Sequence, residues 1–161
     1  MQGRHRLVRH QWVPHPPDTV FAFFSDAHNL ERLTPTFLRL DIRTPQPIEM
    51  RSGTRIEYVM RLFGLPVRWR TRIDEWRPGE GFVDVQESGP YAYWRHAHRF
   101  EPVDGGTRLV DEVEYTLPFG WLGRLAHALV VRHVLRRIFD FRAAAIQRQY
   151  GDEEALRPAR S

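Results

Sequence analysis

The 161-residue sequence contains no cysteine and no lysine. Without cysteine there are no disulfides, no thiolate nucleophile and no Cys-ligated zinc or iron–sulfur site. No apolar run approaches the ~18 residues that span a bilayer. The first residues, MQGRHRLVRHQW, lack the apolar core of a secretory signal. A cytoplasmic location is the expectation. Without lysine, all 24 basic side chains are arginine, set against 20 carboxylates for a net charge of +4. A nucleic-acid binder concentrates such charge on one face or one helix. Here the arginines alternate along extended segments among acidic residues, so no nucleic-acid partner is expected. Also missing are internal repeats, a linker, a Ser-His-Asp order, a paired-carboxylate motif and a phosphate loop.

What is present describes a folded chain. The hydrophobic fraction is 42% and the aromatic fraction 12%, and a chain of this size buries roughly two-thirds of its unfolded surface. Residues 1–150 read as a single domain, with 151–161 (GDEEALRPARS) a polar, frayed tail. The first strand is Arg6–Val13. In PHPPDTVFAFFSDAHNLERLTP, prolines and Asp18 suit a helix start, and Val20, Phe21 and Phe24 supply its apolar side. A second short helix spans Asn29–Leu33 and ends before Pro35.

Beyond it the apolar period changes from 3.6 to 2. FLRLDIRT (Phe37–Thr44) reads as a strand. Two more flank a turn at Gly64-Leu65-Pro66: Ile56, Tyr58, Met60 and Leu62 share one face, and Val67, Trp69, Thr71 and Ile73 share the matching one. FVDVQES, YWRHAHRF and TRLVDEVEYTL follow, separated by Gly/Pro turns, as in an antiparallel meander. From Phe119 to Tyr150 there is no proline. Leu125, Ala128, Val131, Leu135, Ile138, Phe139 and Ile146 form a stripe at helical spacing, which predicts one long amphipathic helix.

The expected fold class is therefore α+β, with about seven strands, two short helices after the first strand and a long C-terminal helix. The order β-α-α-β-β-β-β-β-β-α resembles the helix-grip fold of the SRPBCC superfamily, which holds START, Bet v 1-like and polyketide cyclase/dehydrase or lipid-transport domains. The resemblance covers residues 5–150. It rests on PPDTVFAFFSDAHNLERLTP, WRHAHRFEPVDGGTRLVDEVEY and LPFGWLGRLAHALVVRHVLRRIFDFR. It implies a curved sheet wrapped around the last helix, with a cavity between them.

The stretch YWRHAHRF carries the sharpest chemistry. Strand alternation puts Trp94, His96, His98 and Phe100 on one face. A metal reading meets an obstacle: Glu101, the nearest carboxylate in the motif, has odd parity and points away from both histidines. The similar cupin pattern also differs in both spacings, so no metal and no cofactor are expected. Acid–base work by a pocket histidine is a second reading, with Asp111 on the following strand between Leu109 and Val113.

The favoured reading is a ligand pocket. Tyr58, Met60, Trp69, Trp94 and Phe100 are its expected sheet wall, and Leu135 and Phe139 its helix wall. His96, His98, Asp111 and Arg142 are expected as its polar groups. Grouped Trp, Tyr and His make a poor dry core because their polar atoms need partners, and an uncompensated Arg142 beside an apolar stripe would be costly. The expected function is binding, transport or sequestration of a small hydrophobic or lipid-like ligand. The alternatives are a cyclase/dehydratase-like enzyme and a protein–protein interaction module. Arginines along the terminal helix allow a transient membrane contact without stable insertion. The expected state is monomer or homodimer.

Overall fold

The computed structural model describes residues 3–151; most of the expected tail, from 152 onward, lies outside them. Strand β1 (His5–Val13) leads into helix α1 (Pro17–Phe24) and the single-turn helix α2 (Asn29–Arg32). Strands β2 (Asp41–Ile42), β3 (Arg55–Leu62), β4 (Leu65–Arg77), β5 (Gly81–Ser88), β6 (Tyr93–Val103) and β7 (Gly106–Thr116) follow. The chain closes with α3 (Gly120–Ala126), a π-turn at His127–Val131 and α4 (Arg132–Gly151). The seven strands form one antiparallel sheet in the order β1-β7-β6-β5-β4-β3-β2. This is the α+β helix-grip layout.

Proline opens α1 at its first turn, where the missing N–H has no helical partner to lose. Val20, Phe21 and Phe24 turn inward from it. Together with Phe82, Phe100, Leu109, Ile146 and Tyr150 they make one apolar cluster, which joins α1, the middle of the sheet and the end of α4. A second cluster joins Trp69, Trp94, Val113 and Tyr115 to Leu135 and Phe139 of α4. The long strands β6 and β7 pair without interruption from Tyr93↔Thr116 to Val103↔Gly106, so the alternation in YWRHAHRF survives intact. Trp94, His96, His98 and Phe100 are all buried on the inner face.

Three expectations need correction. The strand expected over Phe37–Thr44 shrinks to Asp41–Ile42: a 3-10 turn takes Thr36–Leu38, and Arg39 sits in the left-handed region at φ 44°. The β3–β4 turn is Phe63-Gly64, both at positive φ, with Leu65 and Pro66 already paired in β4. Positive φ at both central residues is the two-residue hairpin geometry that matches strand twist. The third correction concerns the terminal helix. The π-turn inserts an extra residue, and each residue turns the helix by about 100°. The stripe is therefore out of phase across it: Leu135, Phe139 and Ile146 are buried, whereas Leu125 and Ala128 face solvent.

Candidate ligand-binding site

Between the inner face of the sheet and α4 lies a cavity of about 250 Å³, the volume of about eight waters at liquid density. Tyr58, Met60, Trp69, Trp94, His96 and His98 border it from the sheet, and Leu135, Phe139 and Arg142 from α4. Two expected wall residues do not border it. Phe100 packs edge-on to Phe21 and Phe24 at 5.4 and 5.2 Å, inside the solid cluster, because its place on β6 lies opposite α1. Asp111 stands behind the imidazoles, not on the wall, and reaches the site through them.

Strand register assembles the polar end. His96 faces Asp84 of β5, and His98 faces Asp111 of β7. The carboxylates then reach diagonally: His98 Nε2 is 3.0 Å from Asp84 Oδ2, and His96 Nε2 is 2.9 Å from Asp111 Oδ1. His98 Nδ1 also lies 3.0 Å from Asp111 Oδ1. The two rings lie 3.7 Å apart between centroids, tilted by 35°. Phe82 covers His98 at 4.1 Å, and Phe139 meets His96 edge-on. Arg142 completes the group from α4. Its Nε is 3.4 Å from Asp111 Oδ2, close enough for attraction but off the line of a hydrogen bond, and its Nη2 is 3.3 Å from His98 Nδ1. Its guanidinium lies over the Phe24 ring.

Burial sets the electrostatics. Desolvation alone would raise both carboxyls. For Asp111 it is outweighed by Arg142 and the two imidazoles, which hold it well below the usual carboxylate range. For Asp84 it is outweighed by His98 and His96, and its pKa is also lowered. The histidines diverge. Burial and the neighbouring His98 push His96 down, whereas for His98 the lowering by burial is overcome by its hydrogen bonds to Asp111 and Asp84, which raise it. Burial lifts the hydroxyl pKa values of Tyr58 and Tyr91, so both remain neutral O–H groups at the cavity. The Trp69 indole N–H is buried and has no hydrogen-bond partner among the described residues.

Sequence reasoning passed over Asp84 and Tyr91. Asp84 had a readable signal: it shares strand parity with Phe82, so a carboxylate interrupts an apolar face. Tyr91 had none, because it sits in the β5–β6 connection, where alternation gives no direction. Gln86 holds that connection through bonds with both the N–H and the C=O of Tyr91.

An open antiparallel sheet gripping a terminal helix, with a cavity and buried polar groups between them, defines the SRPBCC class of domain. Residues 13–145 match the family model described as polyketide cyclase / dehydrase and lipid transport, and the chain belongs to that family. Solved structures of the same fold include TTHA0849 from Thermus thermophilus, 19% identical, with a TM-score of 0.64 over 89% of this chain and 92% of that one. Ginseng major latex-like protein 151 from Panax ginseng is 9% identical, with a TM-score of 0.66 over 91% and 97% of the two chains. DR_A0006 from Deinococcus radiodurans is 16% identical, with a TM-score of 0.61 over 94% and 98%. At these identities the likeness is one of fold. No curated protein sequence gives a match.

Proposed function

We propose that the protein binds a small, largely apolar molecule in the cavity between sheet and helix, as a cytoplasmic carrier or sequestering protein. The observation that carries this reading is an aromatic cavity with a buried, unpartnered donor in its wall, Trp69 Nε1. Leaving such a donor unsatisfied costs about 1–3 kcal/mol, and a ligand with an acceptor oxygen removes that cost. The ligand's apolar body gains about 25 cal/mol for each Å² it buries. Arg142, Tyr58 and Trp69 offer donors, so the reading favours one or two oxygens on a hydrophobic frame. Most of the wall is apolar, as in small-molecule sites generally.

The cavity mouth supports an entry route. Phe63 and Val130 border the cavity and are also exposed, Phe63 to 80%. Leu65 and Leu129 are exposed beside them in sequence. A rim of this kind suits brief contact with a lipid surface while an apolar molecule is exchanged. No helix among the described residues is long and apolar enough to cross a membrane.

Native mass spectrometry of protein from its own source, followed by solvent extraction, tests the reading. A stoichiometric apolar molecule that competes with anilinonaphthalene sulfonate is expected. A bare mass together with no dye binding to the wild-type protein would overturn it. Catalysis is the second reading, favoured by the opposite pKa shifts of the paired histidines at one cavity wall. It requires turnover of a carbonyl-bearing aromatic substrate that is lost in His98→Gln. An interaction module would need the sheet–helix interface filled by side chains, and the cavity speaks against it.

A further inference from the structure

Both imidazoles in the cavity wall use one nitrogen toward Asp111 and present the other to Asp84. His96 Nε2 and His98 Nδ1 lie 2.9 and 3.0 Å from the same Asp111 oxygen. His98 Nδ1 also lies 3.3 Å from the Arg142 Nη2 donor, whereas His96 Nε2 is hydrogen-bonded to the carboxylate and carries its ring's proton, because a lone pair facing a carboxylate oxygen repels it. That leaves His96 Nδ1 as a lone pair facing Asp84 Oδ2 at 3.9 Å. The His98 Nε2 atom faces the same oxygen at 3.0 Å, so a proton or a cation has to lie between them. A proton on His98 Nε2 is one solution. A metal ion is the other.

We propose that Asp84, His96 and His98 form a divalent transition-metal site, with Asp84 Oδ2, His96 Nδ1 and His98 Nε2 as ligands. One donor atom from each residue lies within 4.8 Å of the others. Bond lengths of about 2.0–2.2 Å place two donors on one ion about 3.0–3.5 Å apart, so the three donors, 3.0 and 3.9 Å from the Asp84 oxygen and all within 4.8 Å of one another, would draw onto an ion through side-chain rotation. Asp111 then has the role usual for a carboxylate behind metal-bound histidines. It receives the opposite N–H of each ring, holding its tautomer and orientation. The ground on which a metal looked improbable from sequence, the outward-facing Glu101, disappears because the third ligand comes from the neighbouring strand.

Charge balances with a second proton on His98, or with a divalent ion that also carries one anionic ligand. Asp84 and Asp111 carry two negative charges and Arg142 one positive, so neutral histidines leave the buried group one charge short of balance. A divalent ion changes that deficit to a net charge of +1. The remaining coordination positions would face the cavity, which His96, His98 and Asp84 all border. They would suit an anionic oxygen: hydroxide, carboxylate or enolate. Two histidines and one carboxylate with open positions is a donor set that takes Fe(II), Co(II) or Zn(II) rather than magnesium or calcium. None of this depends on the identity of the apolar ligand.

The test is a Co(II) titration of untagged, delipidated protein after chelator treatment, read by visible absorption and followed by Zn(II) competition. One Co(II) per chain is expected, with a saturable visible band that Zn(II) abolishes. Asp84→Asn and His96→Gln should each remove the band. Asp111→Asn should weaken binding by about 10- to 100-fold, the usual cost of losing such a supporting carboxylate. No saturable band in the wild-type protein up to millimolar Co(II) would overturn the proposal, and so would a band unchanged in both ligand variants. The wild-type titration needs no variant to fold. It also leaves the dye and extraction results standing as a separate measurement.

Discussion

The two apolar clusters on the inner face of the sheet draw on the same kinds of residue and end in different states. Around Phe21, Phe100, Leu109 and Ile146 the side chains interdigitate, and none of these four borders the cavity, which this cluster meets through Phe24, Leu33, Ile73 and Phe82. Around Trp69, Trp94, Leu135 and Phe139 every one of the four is a cavity wall. The difference lies in α1. It drives Val20, Phe21 and Phe24 between sheet and helix at the first end. At the other end the described residues supply no equivalent wedge, and the π-turn turns Leu125 and Leu129 outward instead of in. Hydrophobic residues therefore build a core only where an element delivers enough of them to fill the space. The charged group of Asp84, His96, His98, Asp111 and Arg142 marks the border between the filled end and the hollow one.

The largest effect expected from breaking this contrast is at the filled end. Phe100→Ala should cost about 3–5 kcal/mol of stability, measured by urea unfolding, with ligand or dye affinity retained by the folded fraction. A loss below about 1 kcal/mol, far under the usual cost of such a truncation, would mean that this end is not close-packed. At the border, Asp111→Asn leaves Arg142 buried without its counter-charge and should cost about 3 kcal/mol. The double variant Asp111→Asn/Arg142→Met should recover part of that loss, and no recovery would count against the pairing. At the hollow end, Leu135→Ala enlarges a space that already exists. It should fall near the low end for such truncations, about 2 kcal/mol, while clearly weakening ligand binding.

Smaller effects sharpen the border. In chelated protein the His98 pKa is raised above 6.5, so its contribution to stability is fully present below pH 6.5 and is lost as pH rises through the folded value. His96 is shifted downward from the same reference, and its contribution is present above pH 6.5 and lost as pH falls through the folded value. The two together place a stability maximum close to pH 6.5. His98→Gln should flatten the alkaline side of that maximum in a series of urea midpoints. The smallest change is Trp69→Phe, which removes the unpartnered N–H and keeps most of the ring. Stability should hardly move, while an acceptor-bearing ligand should bind about 2- to 12-fold more weakly, the equivalent of about 0.5–1.5 kcal/mol. Unchanged affinity would remove Trp69 Nε1 from the site.

Most of the fold was legible because alternation and helical spacing are strong, local signals. Ile56, Tyr58 and Met60 face Thr71, Trp69 and Val67 across β3–β4, on the faces that alternation assigns. The face shared by Trp94, His96, His98 and Phe100 is likewise the observed one. Legibility failed where the backbone leaves regular geometry. The left-handed residue at Arg39 cuts β2 short, and the π-turn dephases a stripe that looks continuous on paper. It failed again where two side chains meet through cross-strand register. Asp84 and His98 are 14 positions apart and touch only because β5 and β6 pair as they do.

By itself the sequence determined the element order, the buried face of each long strand and the pairing of two histidines on one of those faces, because each depends on residues a few positions apart. Only the tertiary structure decided that one end of the interior is filled and the other hollow, that Phe100 belongs to the first, and that Asp84 and Asp111 clasp the imidazoles from opposite strands. These depend on volumes and registers between distant segments, which no local period encodes.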